Sequence, residues 1–313
     1  MRSFRLIPDD TRIPFVRYQY WAYAFSAALV VLTLVLLPTK GLNFGIDFRG
    51  GVLIEVGMPG AAADLGAMRA TLGGLGLGEV ALQGFGQPSD VLIRIERQPG
   101  GEEAQRAAVD QVRAALAARF GDDISYRRVE FVGPKVSGDL LWNGIQAMAY
   151  SLVAILAYIW FRFEWQFAIG AILALVHDAV TTLGLFALLG LEFNLTTVAA
   201  ILTIIGYSIN DTVVIYDRVR ENLRRFKAMP LPELIDRSVN DTLARTVMTS
   251  LTTLLAILAL VIFGGPVIRG FALAMMWGVL VGTYSTVYVA APVILHLHLR
   301  REPVADPAEI AGE

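Results

Sequence analysis

Long uninterrupted apolar runs dominate this chain. Six of them, over residues 20–37, 140–161, 167–189, 195–216, 243–263 and 271–295, approach or exceed the ~20 helical residues that cross ~30 Å of hydrocarbon. Between the first two runs the rhythm changes. Alternation of apolar and polar residues predicts strands over 51–56, 79–85, 90–96 and 124–131, as in VLIRIE, where Val91, Ile93 and Ile95 share one face. Helices are predicted over 62–75 and 102–120; in the second, Ala108, Val112, Ala115 and Leu116 recur at helical spacing, with Arg106, Asp110 and Arg113 elsewhere around it. The order β-α-β-β-α-β is the ferredoxin-like plan. The expected fold class is an α-helical polytopic membrane protein with six transmembrane helices, plus one α+β ferredoxin-like domain between helices 1 and 2. The division reads as an N-terminal segment 1–19, helix 1 at 20–37, the inserted domain 38–139, helices 2–6 within 140–299 with a loop at 217–242, and a tail 300–313. Two prolines and three glutamates within 301–313 predict a disordered end.

Composition excludes a soluble globule. Hydrophobic residues make up 55% and charged ones 17%, against roughly a quarter charged in soluble domains, and the mean hydropathy is +0.57. Four arginines (Arg2, Arg5, Arg12 and Arg17) precede the first run and could suggest a signal sequence. The run is long, however, and no small-x-small cleavage site follows before Lys40, so it reads as a retained anchor. A net charge of −2 gives no global basic field for nucleic acid. The absence of cysteine excludes disulfides, thiol nucleophiles and Cys-ligated metals, and three histidines leave little for a metal site.

Charge also sets the expected orientation. With six spans both termini share a side, and that side carries the N-terminal arginines, Arg162, Arg218, Arg220, Arg224, Arg225, Lys227, Arg237, Arg300 and Arg301. The short loops opposite, 190–194 and 264–270, contain only Arg269. The positive-inside rule puts the termini and the 217–242 loop in the cytoplasm.

Three segments carry candidate chemistry. The first is GIDFRGG at 45–51, which reads as a Gly-rich turn between membrane and sheet; it lacks the strand–loop–helix context of a phosphate-binding loop. The second is His177–Asp178 inside the third run. Neighbours about 100° apart do not form a two-ligand metal face, which leaves a polar pair fixing helix rotation or a part in proton relay. The third is GYSINDT at 206–212. Asp211 is expected about four residues inside the cytoplasmic end of its run, roughly 6 Å deep at ~1.5 Å per residue. An acid within a membrane span is a functional hypothesis by default. Ser208, Asn210 and Thr212 add hydrogen-bonding capacity, and Gly206 is expected to permit close helix approach. Arg245, followed by Thr246, Thr249 and Ser250, enters the fifth run at a similar depth. Asp211 and Arg245 could form a static ion pair or a titrating one. Asp217, Arg218, Arg220 and Glu221 read as solvated charges at a helix end, residues 231–242 as a short amphipathic surface helix that leads into the fifth span, and His296 and His298 as interfacial.

GIDFRGG after the first span, VHD in the third, GYSINDTVVIYDRVREN in the fourth and LARTVMTS entering the fifth together resemble the bacterial SecF family. These are F subunits of the SecDF protein-export complex, in the resistance–nodulation–division superfamily, and the resemblance runs from about residue 4 to residue 300. It implies a pseudo-symmetric complex with SecD beside the SecYEG translocon, with YajC and the YidC insertase as further contacts and translocating preproteins as cargo. The chain would lie in the inner membrane with domain 38–139 periplasmic, and proton flow would drive domain motion. The family's proton-carrying carboxylate falls on Asp211 and its arginine partner on Arg245. His177, Asp178, Asn210, Ser208 and Thr249 are carried over as relay or packing residues, and Asp47, Phe48, Gly50 and Gly51 as the junction motif between membrane and periplasmic domain. No cofactor, metal or catalytic residue is implied. Half of a small-molecule or lipid exporter of the same superfamily is the alternative, although such exporters carry twelve spans in one chain. A scaffold with purely structural buried charges is a third reading. An intramembrane enzyme fits poorly, since no Ser/His or paired-Asp constellation stands out.

Overall fold

A computed structural model describes residues 7–8, 11–60, 62–78, 80–84 and 86–297, without the side chains of 134, 135 and 265–267. Arg2, Arg5, His298, Arg300, Arg301 and the tail 300–313 therefore lie outside the described residues. A short 3-10 turn leads into α1 (Gln19–Thr39). Then follow β1 (Asn43–Phe44), α2 (Ile46–Arg49), β2 (Gly51–Gly57), α3 (Leu65–Gly73), β3 (Val80–Gly84), β4 (Asp90–Ile95), α4 (Gly101–Phe120) and β5 (Ser125–Val132). The rest is α5 (Pro134–Arg162), α6 (Trp165–Leu189), β6 (Glu192–Phe193), α7 (Leu195–Arg225), α8 (Leu231–Phe263), α9 (Gly265–Ser285), a π-helical turn (Thr286–Ala290) and α10 (Ala291–His296). Among the described residues six helices are long and apolar enough to cross a membrane.

The inserted domain is a four-stranded sheet in the order β3-β4-β2-β5, antiparallel at every step. Each of the two βαβ units is split by a strand of the other. The period-2 pattern explains its two faces. Val52, Ile54 and Val56 of β2 and Val91, Ile93 and Ile95 of β4 are buried under α3 and α4 against Met68, Leu72, Val112 and Leu116. The alternate positions Leu53 and Leu92 form a smaller cluster with Ile46 and Val132, so the back of the sheet rests on the membrane junction. Asp64 starts α3 by accepting from the N–H groups of Gly66 and Ala67.

Within the membrane bundle α6, α7 and the last span are central. Half of the apolar windows of α6 and α7 and 67% of that of α9–α10 are buried, against 11% for α1 and α5. Two apolar clusters, one around Phe167 and Tyr216 and one around Phe186, Ile201 and Ile205, enclose a layer of buried polar side chains from α6, α7 and α9. Gly278 lets α9 approach α7, because a Cβ there would lie 2.2 Å from Ile204 Cγ1. Gly206, the sequence-based candidate for close approach, instead faces outward with open space around it.

Two expected boundaries change. α7 continues to Arg225 and α8 begins at Leu231, so the 217–242 loop contracts to residues 226–230. The stretch 231–242 does lead into the fifth span, but as the first turns of α8 itself and not as a separate surface helix. Its apolar side, with Leu234, Ile235 and Val239, packs into the bundle core, and Asn222 on α7 donates to Ser238 Oγ at 2.9 Å. The chain before α1 also docks there: Asp236 accepts from the Val16 N–H, and Asn240 bonds both backbone groups of Ile13. α5 starts directly after β5, with Pro134 in its first turn, where a missing N–H costs nothing.

Candidate functional site

Asp178 sits mid-way along α6 with 0% exposure, yet its carboxylate is satisfied. Oδ2 accepts from Ser208 Oγ of α7 at 2.7 Å and Ser285 Oγ of α9 at 2.8 Å, and Oδ1 lies 3.1 Å from His177 Nδ1. One acid thus ties three helices together. Its backbone carbonyl also accepts from Thr181 and Thr182. Next to it the π-helical turn brings Thr286 Oγ1 within 3.0 Å of Thr212 Oγ1, and Tyr216 donates to the Ala290 carbonyl at 3.1 Å. Pro292 has no N–H for the carbonyl four residues back, which accounts for the irregular turn just before it. His177 Nε2 is buried without a partner among the described residues.

Asp211 lies one turn beyond Ser208 on the same face of α7 and is 3% exposed. Its Oδ2 is buried without a hydrogen bond. An unpaired buried carboxylate costs several kcal/mol unless it is neutral or finds a partner. The expected Arg245 contact is not made. Among the described residues no Asp211–Arg245 ion pair forms, and Arg245 is exposed on α8 while still within electrostatic reach. Asn210 is exposed on the outer side of α7, and Thr249 turns back to bond the Arg245 and Thr246 carbonyls of its own helix. Of the residues proposed for the site, His177, Asp178 and Ser208 come together, with Asp211 adjoining; Asn210, Arg245 and Thr249 do not. Ser285, the last residue of α9, and Thr286, the first of the π-helical turn, were missed, because a hydroxyl residue in an apolar run carries no signal of which helix it faces.

The junction motif builds a second constellation. Asp47 Oδ2 accepts from the Leu195 N–H at 2.9 Å, so it satisfies the start of α7 beside the capping box of Asn194 and Thr197. Phe48 packs with Phe44 and Phe193, ring centroids 6.0 and 5.7 Å away. Gly50 and Gly51 have φ of +72° and +119°, and a Cβ on Gly51 would lie 2.4 Å from the Ile95 carbonyl oxygen. Only glycine fits there. β1 pairs in parallel with β6, aligning Asn43 with Glu192 and Phe44 with Phe193. Arg94, on the back of the sheet, makes an ion pair with Glu192. Burial pushes the Glu192 carboxyl up; Arg94 pulls it down and Asp47 pushes it up further. Sequence reasoning missed this pair, although LNFG after the first span and LEFN after the third are a short repeat that marks the two paired segments. Among the described residues no three His, Asp or Glu side chains gather as metal ligands.

Residues 111–300 match the C-terminal family of SecD/SecF protein export membrane proteins, and residues 35–58 match the SecD/SecF GG motif. A protein translocase subunit SecF from Rhodobacter capsulatus is 48% identical over 97% of this chain and 95% of its own length. The chain belongs to the SecF family. The SecF of Rickettsia felis is 45% identical, with 93% of each chain covered. In three dimensions the chain is similar to SecDF of Thermus thermophilus, described as a translocon-associated membrane protein, with a TM-score of 0.84 and 36% identity. That match covers 94% of this chain and 40% of the solved one, so the chain spans about two-fifths of that protein. SecDF in a super-membrane-facing form is matched at the same identity with a TM-score of 0.68. The GG-motif match contains Asp47, Phe48, Gly50 and Gly51, the residues that shape the junction.

Proposed function

We propose that this chain is an auxiliary subunit of the Sec translocase that works with SecD and uses the proton motive force to promote late steps of preprotein export. The observation that carries the reading is Asp211. It is a buried carboxylate with an unpartnered oxygen, inside the fourth span of a SecF-family chain, next to polar groups that this chain leaves uncovered. Asn210 and Arg245 on the outer surface of a membrane bundle call for a protein partner rather than lipid. SecD supplies that surface, and in the assembled pair Arg245 turns towards Asp211, the proton-carrying group. Arg162, Arg218, Arg220, Arg224 and Arg225 gather at one end of the bundle while the 190–194 turn at the other has no basic residue. This supports cytoplasmic termini and a periplasmic domain. SecYEG is the complex it serves, with YajC and YidC as neighbours.

The deciding experiment measures export into membrane vesicles with and without an imposed proton gradient, using variants that assemble with SecD. Asp211→Asn cannot ionise and is expected to abolish gradient stimulation while leaving assembly intact. Asp211→Glu retains part of it, and Arg245→Lys, lacking the planar fork of donors, is impaired. Full stimulation in the Asp211→Asn complex would overturn the assignment.

His177 and Asp178 have a different role in this reading. Both oxygens of Asp178 are already engaged and no exposure remains. They lock α6, α7 and α9 in register and do not carry the proton.

A further inference from the structure

The α+β domain is joined to the membrane bundle through the chain itself at Gly50–Gly51 and at Gly133. A third connection is not covalent. Arg94 projects from β4 on the back of the sheet, and its ion pair with Glu192 leaves the two side chains only 14% and 24% exposed. Glu192 belongs to the turn between α6 and α7, aligned with Asn43 in the two-stranded β1–β6 pairing. Three residues on, the Leu195 N–H is held by Asp47, and Leu195 opens the helix that carries Ser208 and Asp211. Phe48, Phe186 and Phe193 pack beneath this turn. A displacement of the outer end of α7 therefore has a short, rigid route to the sheet: Leu195, Glu192, Arg94.

We propose that Arg94 and Glu192 are positioning residues that clamp the α+β domain to the α6–α7 turn, so that the domain and the outer ends of these two helices move as one body. The inference rests on the proton-driven export reading for its purpose, though not for its geometry. Without the clamp the domain is held by two glycine-containing connections and the small apolar contact of Leu53 and Leu92 with Ile46 and Val132, and movement of α7 is dissipated as domain wobble.

The chain has no cysteine, which makes the test clean. In the complex with SecD, Arg94→Cys together with Glu192→Cys removes both charges and provides two thiols for a short, reducible bis-thiosulfonate linker. The unlinked double variant is expected to assemble normally and lose gradient-stimulated export several-fold. Linking is expected to restore it, and reduction to abolish it again. A merely structural pair would not respond this way. Wild-type export by the unlinked variant would overturn the proposal, and so would a linked complex that stays inactive, because the contact would then have to open. A second readout is independent of export. Spin labels on Glu103→Cys in α4 and Leu189→Cys at the end of α6 should report one narrow distance, broadened by Arg94→Ala. An unchanged distribution in Arg94→Ala also rejects the clamp. Missing gradient stimulation in the wild-type complex would reject the export reading alone.

Discussion

Asp178 on α6 and Asp211 on α7, one turn beyond the serine that binds Asp178, show how environment assigns a residue its work. Both carboxylate oxygens of Asp178 have partners, whereas Asp211 keeps a bare oxygen. Asp178→Asn preserves the pattern, since its amide oxygen can take both serines and its nitrogen can face His177. Export and thermal stability should therefore stay near wild type, and a large loss of export in that variant would make Asp178 a relay after all. Asp178→Ala strands the buried Ser208 hydroxyl, leaves Ser285 only its Gly282 carbonyl, and opens a cavity. It should lower stability by about 2 kcal/mol or more, read as an earlier thermal unfolding in detergent. Glu192 gives a pH prediction. Its carboxyl is raised from 4.5 mainly by burial, so the folded turn holds the proton more readily than the unfolded chain. The folded turn is therefore favoured most below the ordinary Glu value, and that contribution is lost as pH rises through the raised one, while the Arg94 pair works against the loss. The charges facing it are Arg94 and Asp47, with Arg49, Glu96 and Arg97 lining the adjoining cavity. Hydrogen exchange at the α6–α7 turn should speed up across that window, and Glu192→Gln should flatten the profile. Exchange that slows on raising the pH would contradict the sign.

At the scale of elements, apolar run length and strand alternation were readable because both are set by local chemistry: hydrocarbon thickness for one, a two-sided sheet for the other. The ends of elements were not. Nothing in DRVRENLRR says whether its helix stops at the membrane surface, because Asn222 is held by α8, and Arg218 reaches Asp241 of α8 as well as Glu221 of its own helix. Glycine roles were equally hidden. Gly206 and Gly278 look alike in sequence, yet only Gly278 touches another helix. Gly278→Ala must push against Ile204, which is 1% exposed, and should separate α7 from α9 at a cost of about 1–3 kcal/mol. Gly206→Ala meets open space and should be neutral or stabilising by up to about 1 kcal/mol through helix propensity. Thermal unfolding of both variants in one detergent decides the ranking; equal effects would mean that the α7–α9 contact is looser than the geometry indicates.

For the whole molecule, the candidate site was half legible. Asp211 and Asp178 stood out because an acid in an apolar run is expensive, but which of them is satisfied depends on Ser285, more than a hundred residues away from Asp178. Orientation is the property that ties the scales together, since a proton can only drive export if Asp211 and the α+β domain are placed on a defined path across the bilayer. The arginine clusters around Arg162 and Arg218–Arg225 make a definite forecast. Gln87, exposed between β3 and β4, and Ala228, exposed between α7 and α8, lie at opposite ends of the bundle. In intact cells, after the outer membrane is permeabilised, Gln87→Cys should react with a membrane-impermeant thiol reagent. Ala228→Cys should react only once the inner membrane is broken. The converse pattern would place the domain in the cytoplasm. Under the proposed mechanism it would also reverse the side from which a proton would reach Asp211.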